Sequence, residues 1–329
     1  MNELLPWHQE SWERFQWLKQ FKKIPHAIML YGAPGLGKMH FARMLTRSLF
    51  CLQPSSQELA CGLCKNCILI SAQTHPDYQE VIAQEKEAIK IEDIRGIQSK
   101  LFHSAQQGGW KVILISPAEA MTLGAANALL KILEEPPANT VFLLVTTALQ
   151  QLPATIRSRC EKWAFPGVAE NLALAWLQEN KSGNNEIELL ALLRQNNHAP
   201  LAVMNLLSTE VKESPEVLLN EFNDFQAQKL SLTELAARWS KYNLPRVLQF
   251  FLHYSVDILR INYAGEKAVL HFCHHSVELK QIAPKISITK LFAFYDALVR
   301  IGHDCAQVTN LNKQLLLEQL MLKWMAVRL

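Results

Sequence analysis

The sequence predicts an α/β domain with a mostly parallel sheet followed by an all-helical remainder, and three observations carry that reading. Short, nearly all-apolar runs at 27–31, 111–115 and 141–145 are separated by stretches with helical spacing. Runs without alternation suit strands buried on both faces, as parallel strands are. The first run feeds straight into a glycine-rich turn, and beyond about Trp163 strand-like runs become scarce. Strands alternating with helices imply helices layered on a sheet.

Taken in order, Trp12, Phe15, Trp17, Leu18 and Phe21 recur at helical spacing until Pro25. Residues 27–31 read as a buried strand and 39–50 as a helix. A second helix, 125–135, lies between the other two strands and is stopped by Pro136 and Pro137. Phe165-Pro-Gly167 reads as a linker. Residues 172–180 and 187–195 read as short helices of a small second domain. From about residue 210 helical patterns continue, over 247–263, 288–301 and 313–329, while 271–275 has no helical pattern. The expected divisions are 1–165, 166–209 and 210–329.

A chain of 329 residues suits two or three domains at about 100–200 residues each. With 49% hydrophobic and 19% charged residues it has ample core material, which excludes a disordered or fibrous protein. A net charge of +3 argues against a dedicated DNA-wrapping protein. Residues 1–17 carry Glu3, Glu10, Glu13 and Arg14 and have no signal-peptide core. No apolar run reaches the roughly 18 residues of a membrane span. The expectation is a soluble cytoplasmic protein without a membrane partner, whose seven cysteines are thiols or metal ligands.

Gly32-Ala-Pro-Gly-Leu-Gly-Lys38-Met39 lies between a strand and a helix, the setting of a phosphate-binding P-loop. Gly32, Gly35 and Gly37 let backbone N–H groups curl around phosphates, and Lys38 can reach the outer ones. The position that normally supplies a magnesium-ligating hydroxyl is Met39, a poor ligand for a hard cation. The strand 111–115 should end in metal-holding carboxylates. It ends instead in Ser116-Pro-Ala-Glu119, with Glu119 read as a solvated helix-start residue and a displaced catalytic acid as the alternative. Losing both elements removes the metal that carries much of phosphoryl-transfer catalysis, so no hydrolysis is expected. Weak passive nucleotide binding stays open.

Cys51, Cys61, Cys64 and Cys67 form C-x9-C-x2-C-x2-C. C-x2-C spacing presents two thiolates from one tight turn, and four soft ligands suit a closed, structural zinc site. Iron–sulfur ligation is the competing chemistry. Cys160, Cys273 and Cys305 are scattered and read as small packed residues, and His274 and His275 as surface residues. Arg157 and Arg159, taken alone, read as solvated cations at a helix end, and Thr147 as a structural cap at a strand end.

Gly32-Ala-Pro-Gly-Leu-Gly-Lys38, the four cysteines, Asn127-Ala-Leu-Leu-Lys-Ile-Leu-Glu-Glu-Pro-Pro137, Ser158-Arg-Cys160 and Thr309-Asn-Leu-Asn-Lys-Gln-Leu-Leu-Leu-Glu-Gln-Leu320 together resemble the bacterial clamp-loader subunits of the AAA+ class. The resemblance spans the chain and implies an AAA+ α/β core, a small helical lid and a helical collar for assembly. It further implies a subunit that is inactive alone but part of a DNA-directed DNA polymerase complex, with Arg159 acting in trans as an arginine finger in a neighbour's ATP site. Active members use an arginine of the second domain to sense nucleotide; Asn196-Asn-His-Ala-Pro-Leu-Ala202 lacks it. The implied partners are the motor (tau/gamma) subunits, the delta subunit, the sliding clamp, and primer-template DNA held by the assembly. The implied location is the nucleoid-associated replication machinery. The alternatives are a working ATPase motor of the same family and a nucleic-acid-binding zinc module; the latter has Lys65 and few other basic residues.

Overall fold

The computed structural model describes residues 3–84, 87–101, 109–180, 186–208, 214–305 and 312–327. Residues 309–311 of the last quoted string, residues 328–329 of the last expected helix, and the side chains of His274 and Cys305 lie outside this description. The chain forms two compact units, Met1–Asn180 with Ala199–Ala202, and Lys181–His198 with Val203–Leu329.

The first unit contains, in order, α1 (Gln9–Gln20), β1 (Ala27–Tyr31), α2 (Lys38–Phe50), α3 (Lys65–Ser71), β2 (Tyr78–Ile82) and α4 (Ile91–Leu101). It continues with β3 (Lys111–Ser116), α5 (Leu123–Glu134), β4 (Thr140–Thr146), α6 (Ala154–Arg159), β5 (Glu161–Ala164) and α7 (Glu170–Asn180). The five strands are all parallel, in the order β2-β3-β4-β1-β5. Ala27 of β1 is opposite Phe142 of β4, and Tyr31 is opposite Thr146. Alternate residues face opposite sides of a pleated strand. Ala27, Met29, Ile113, Ile115, Phe142 and Leu144 thus share one core with Ile94 and Ile97 of α4, Leu129 and Ile132 of α5 and Ile156 of α6. On α2, Phe41, Ala42, Leu45 and Leu49 are buried at helical spacing. Phe41 meets Trp12 of α1 and Trp163 of β5, each at a ring distance of 6.1 Å.

The three expected strands stand where the apolar runs put them. β2 and β5 form the two edges of the sheet, and neither follows from its sequence. Glu80 and Gln79 interrupt β2, and only Trp163 is buried in β5. Thr122 caps α5 through the Ala125 amide, so that helix begins at Leu123, earlier than the apolar spacing indicates. The expected linker starts later than Phe165, whose amide donates to the Tyr31 carbonyl at 2.8 Å and whose side chain is buried.

The second unit contains α8 (Glu186–Gln195), most of α9 (Pro200–Ser208), α10 (Pro215–Gln226), α11 (Leu232–Trp239), α12 (Leu244–Ala264), α13 (Ser276–Ile282), α14 (Ile288–Cys305) and α15 (Lys313–Met325). Phe222, Trp239, Phe250, Phe251, Tyr254 and Trp324 fill its core. The segment without helical pattern is pinned by Asp257, a fully buried carboxylate on α12. It accepts the amides of His271 and Phe272 at 2.9 Å and lies 2.7 Å from the His271 ring. Among the described residues, no helix is long and apolar enough to cross a membrane.

Candidate functional site

The glycine-rich turn leaves the carboxyl end of β1 and opens α2, the placement that makes a helix N-terminus available to an anion. Its own chain bounds it. Lys38 Nζ donates to the carbonyls of Gly32 and Ala33, each at 2.6 Å, and the side chain is only 5% exposed. Burial pulls the ammonium down to about 8, against the attraction of the Glu119 carboxylate. The Leu201 amide, in the first turn of α9, donates to the Gly35 carbonyl. Gly35 has φ +80°, and an added Cβ would lie 2.5 Å from Ala202 Cβ and 2.6 Å from its backbone nitrogen. On the remaining flank, the Leu36 carbonyl accepts from Trp7 Nε1 at 3.0 Å and faces His8 Nε2 at 2.8 Å. A carbonyl only accepts, so His8 carries its proton on Nε2. Burial drives this imidazole down to about 4, with the Leu36 carbonyl opposing and His40 adding to the shift.

The tip of β3 bears no carboxylate, as expected, but Glu119 is not a solvated residue. It sits half-buried on a short turn, Ala118–Ala120, and Oε1 accepts both the amide (2.9 Å) and the hydroxyl (2.6 Å) of Thr147. Burial opposes its ionisation, yet the Thr147 and Thr146 hydroxyls hold it below the usual carboxylate range. Glu119 thereby ties the end of β3 to the end of β4. Thr147, at that strand end, is committed to the same clasp.

Arg159 closes α6. Its Nη1 donates to the Thr155 carbonyl at 3.0 Å and its Nη2 to Glu134 Oε1 at 2.8 Å, both side chains being exposed. Glu134 is the last residue of α5, so two motifs far apart in sequence meet here. Arg157 is engaged separately, with Gln150 Oε1 at 3.0 Å.

The four expected cysteines converge. Cys51 follows α2, Cys64 precedes α3 and Cys67 lies within it. Their sulfurs all lie within 4.8 Å of one another. Four thiolates about 2.3 Å from a common zinc stand roughly 3.8 Å apart in a tetrahedron, so the set fits such an ion. The amides of Cys61 and Cys64 point at the sulfurs of Cys51 and Cys61, at 3.2 and 3.3 Å. Burial resists ionisation of Cys64, but the Leu52 and Cys67 amides draw its thiol down to about 6. A helix rises 1.5 Å per residue, so the length of α2 puts this cluster about 20 Å from the phosphate loop. Cys160 is buried as a packed residue, and His275 pairs with Glu278 at 3.0 Å.

Residues 7–169 match the family described as DNA polymerase III, delta subunit, and residues 210–326 match DNA polymerase III, delta subunit, C terminal. The chain is 33% identical over 325 residues to the DNA polymerase III subunit delta' of Pseudomonas aeruginosa, covering 98% of each chain. It is 29% identical over 323 residues to the subunit delta' of Escherichia coli, covering 97% of this chain and 94% of that one. A shorter similarity, 39% over 138 residues, links it to the DNA polymerase III subunit tau of Salmonella typhimurium, covering 42% of this chain and 21% of that one.

Proposed function

The chain belongs to the delta-prime subunit family of DNA polymerase III, and from that premise we propose that it serves the clamp loader as a non-hydrolysing stator whose Arg159 completes the ATP site of a neighbouring motor subunit. The observation that carries the reading is the phosphate loop filled by its own chain. Lys38 is turned onto the Gly32 and Ala33 carbonyls, and Met39 stands where a metal-ligating hydroxyl is needed. Glu119, the nearest carboxylate after β3, has its Oε1 bound to the Thr147 amide and hydroxyl. These features support a scaffold role for the loop, with nucleotide binding weak or absent.

Arg159 suits a role in trans. An exposed ion pair such as Arg159–Glu134 is worth about 0–1 kcal/mol, so releasing the guanidinium toward a phosphate costs little. The planar fork then meets phosphate oxygens in two hydrogen bonds, and stabilising transition-state charge this way is worth about 10³–10⁵ in rate. The cysteine cluster would hold a structural zinc ion through Cys51, Cys61, Cys64 and Cys67, closing the chain between α2 and α3. The partners in this reading are the tau/gamma motor subunits, the delta subunit, the sliding clamp, and primer-template DNA through the assembly, all in the cytoplasm. The division into core 1–165, lid 166–209 and collar 210–329 belongs to the same proposal.

The test is a loader reconstituted with Arg159→Ala, in which DNA- and clamp-stimulated ATP turnover should lose the contribution of the one site that Arg159 completes, itself slowed by about 10³. Unchanged turnover refutes the finger. ATP turnover by the isolated chain that disappears with Lys38→Ala would instead establish a working motor.

A further inference from the structure

Arg159 is held at two points by parts of the chain whose positions the packing fixes. Helices α5 and α6 share one core, in which Leu129, Leu133 and Ile156 are buried, so their ends do not shift independently. Glu134, the last residue of α5, accepts from Arg159 Nη2 at 2.8 Å. The Thr155 carbonyl, one turn back on α6, accepts from Nη1 at 3.0 Å. Glu134 is not favoured by its own helix. A carboxylate in a last turn meets the negative end of the macrodipole, where a cation is stabilised and an anion is not. Arg159 ends α6 in accord with that rule, and Glu134 ends α5 against it. A residue set against local preference points to a role outside its own element. Among the described residues, the ion-pair partner of Glu134 is Arg159.

We infer that Glu134 is a positioning residue, which sets the Arg159 guanidinium at the end of α6 in readiness for a phosphate of the neighbouring subunit. The inference rests on the trans role proposed for Arg159. Arginine is among the side chains with most rotamer freedom, and ordering such a chain at the moment of contact weakens the contact. Glu134 and the Thr155 carbonyl order it beforehand. A guanidinium carries five N–H groups, and these two bonds use two of them. Three remain to donate to phosphate oxygens with Glu134 still in place. The Arg159 side chain is 36% exposed, which leaves it open to a neighbour. An exposed pair is weak, so it orders the fork without trapping it. Arg157, two residues earlier, is turned to Gln150 and takes no part in this arrangement.

The test is ATP turnover by the loader reconstituted with Glu134→Ala, Glu134→Gln, Arg159→Ala or Glu134→Ala/Arg159→Ala. The part of kcat that Arg159→Ala removes is the part Glu134 should govern. Glu134→Ala should lower that part by about tenfold and leave KM for ATP unchanged, because the neighbour binds the nucleotide. Glu134→Gln keeps an acceptor oxygen for Nη2 and should recover most of the loss. The double variant should turn over no more slowly than Arg159→Ala, since a residue acting through Arg159 has nothing left to position. Natural turnover by Glu134→Ala, with Arg159→Ala impaired, overturns the inference and leaves the trans role standing. A further loss in the double variant also overturns it, by giving Glu134 a structural role of its own. Natural turnover by Arg159→Ala overturns the inference together with the trans role.

Discussion

Gly35→Ala tests whether the phosphate loop is held shut by packing. Gly35 has φ +80°, where a side chain costs about 1–2 kcal/mol in left-handed strain. The new Cβ would lie 2.5 Å from Ala202 Cβ and 2.6 Å from the Ala202 nitrogen, so backbone must move and a flexible tip cannot absorb the clash. Overpacking of that kind costs about 1–3 kcal/mol, and displacing α9 also threatens the Leu201 to Gly35 hydrogen bond, worth about 1 kcal/mol. The expected destabilisation is about 4 kcal/mol in denaturant unfolding. Two further variants sharpen the test. Ala202→Gly on the same background removes the Cβ contact but not the one to the backbone nitrogen, so rescue should be partial. Gly96→Ala, in α4 with nothing near the added Cβ, should instead stabilise by about 0.5–1 kcal/mol through helix propensity. A cost below about 1 kcal/mol for Gly35→Ala, or full rescue by Ala202→Gly, would show that the loop is not packed as described.

His8 gives a pH signature. Its folded value near 4 lies below the ordinary 6.5, so the unfolded chain binds more protons between those values and stability falls as pH drops through that window. The loss by pH 5 should be about 2 kcal/mol relative to neutral pH, and His8→Gln, which retains a donor for Leu36, should remove that component from the profile. Equal acid loss in both proteins contradicts the assignment. For the cysteine cluster, elemental analysis should find one zinc per chain, and Cys64→Ser/Cys67→Ser should abolish it and cost more than about 4 kcal/mol. Arg159→Ala, by contrast, should shift the stability of the isolated chain by no more than about 1 kcal/mol, which separates its effect in the assembled loader from misfolding.

The legibility of this chain follows burial. β1, β3 and β4 occupy the middle of the sheet and are buried on both faces, so their sequences are continuous apolar runs. β2 and β5 lie at the edges, where Glu80 pairs with Arg43 on α2 and Glu161 with Arg14 on α1. Charges that serve those ion pairs erase the apolar signal of a strand. The cysteine cluster was legible because ligand spacing is a local property, and Met39 because a hydroxyl either stands at the end of the loop or does not. The setting of Glu119 is not legible in the sequence because it is made by Thr147, 28 residues onward, and nothing local reports the contact.

The same distinction bears on how the loop would be disabled under the proposed function. In the proposed reading Met39 and the bare tip of β3 account for a lack of hydrolysis, but neither would prevent a nucleotide from entering. On that reading exclusion rests on one contact within the loop and two from outside it. Lys38 is bonded to two carbonyls it would have to leave, Gly35 is closed over by Ala202, and Leu36 is held by Trp7 and His8. Moving the ammonium onto a phosphate exchanges two charge-assisted bonds for new ones, so the gain is far smaller than in a loop whose lysine starts free in water. Restoring the hydroxyl with Met39→Thr should therefore leave nucleotide affinity almost unchanged. A titration in which Met39→Thr alone confers tight binding would show that the side chain, and not the packing, keeps the site closed.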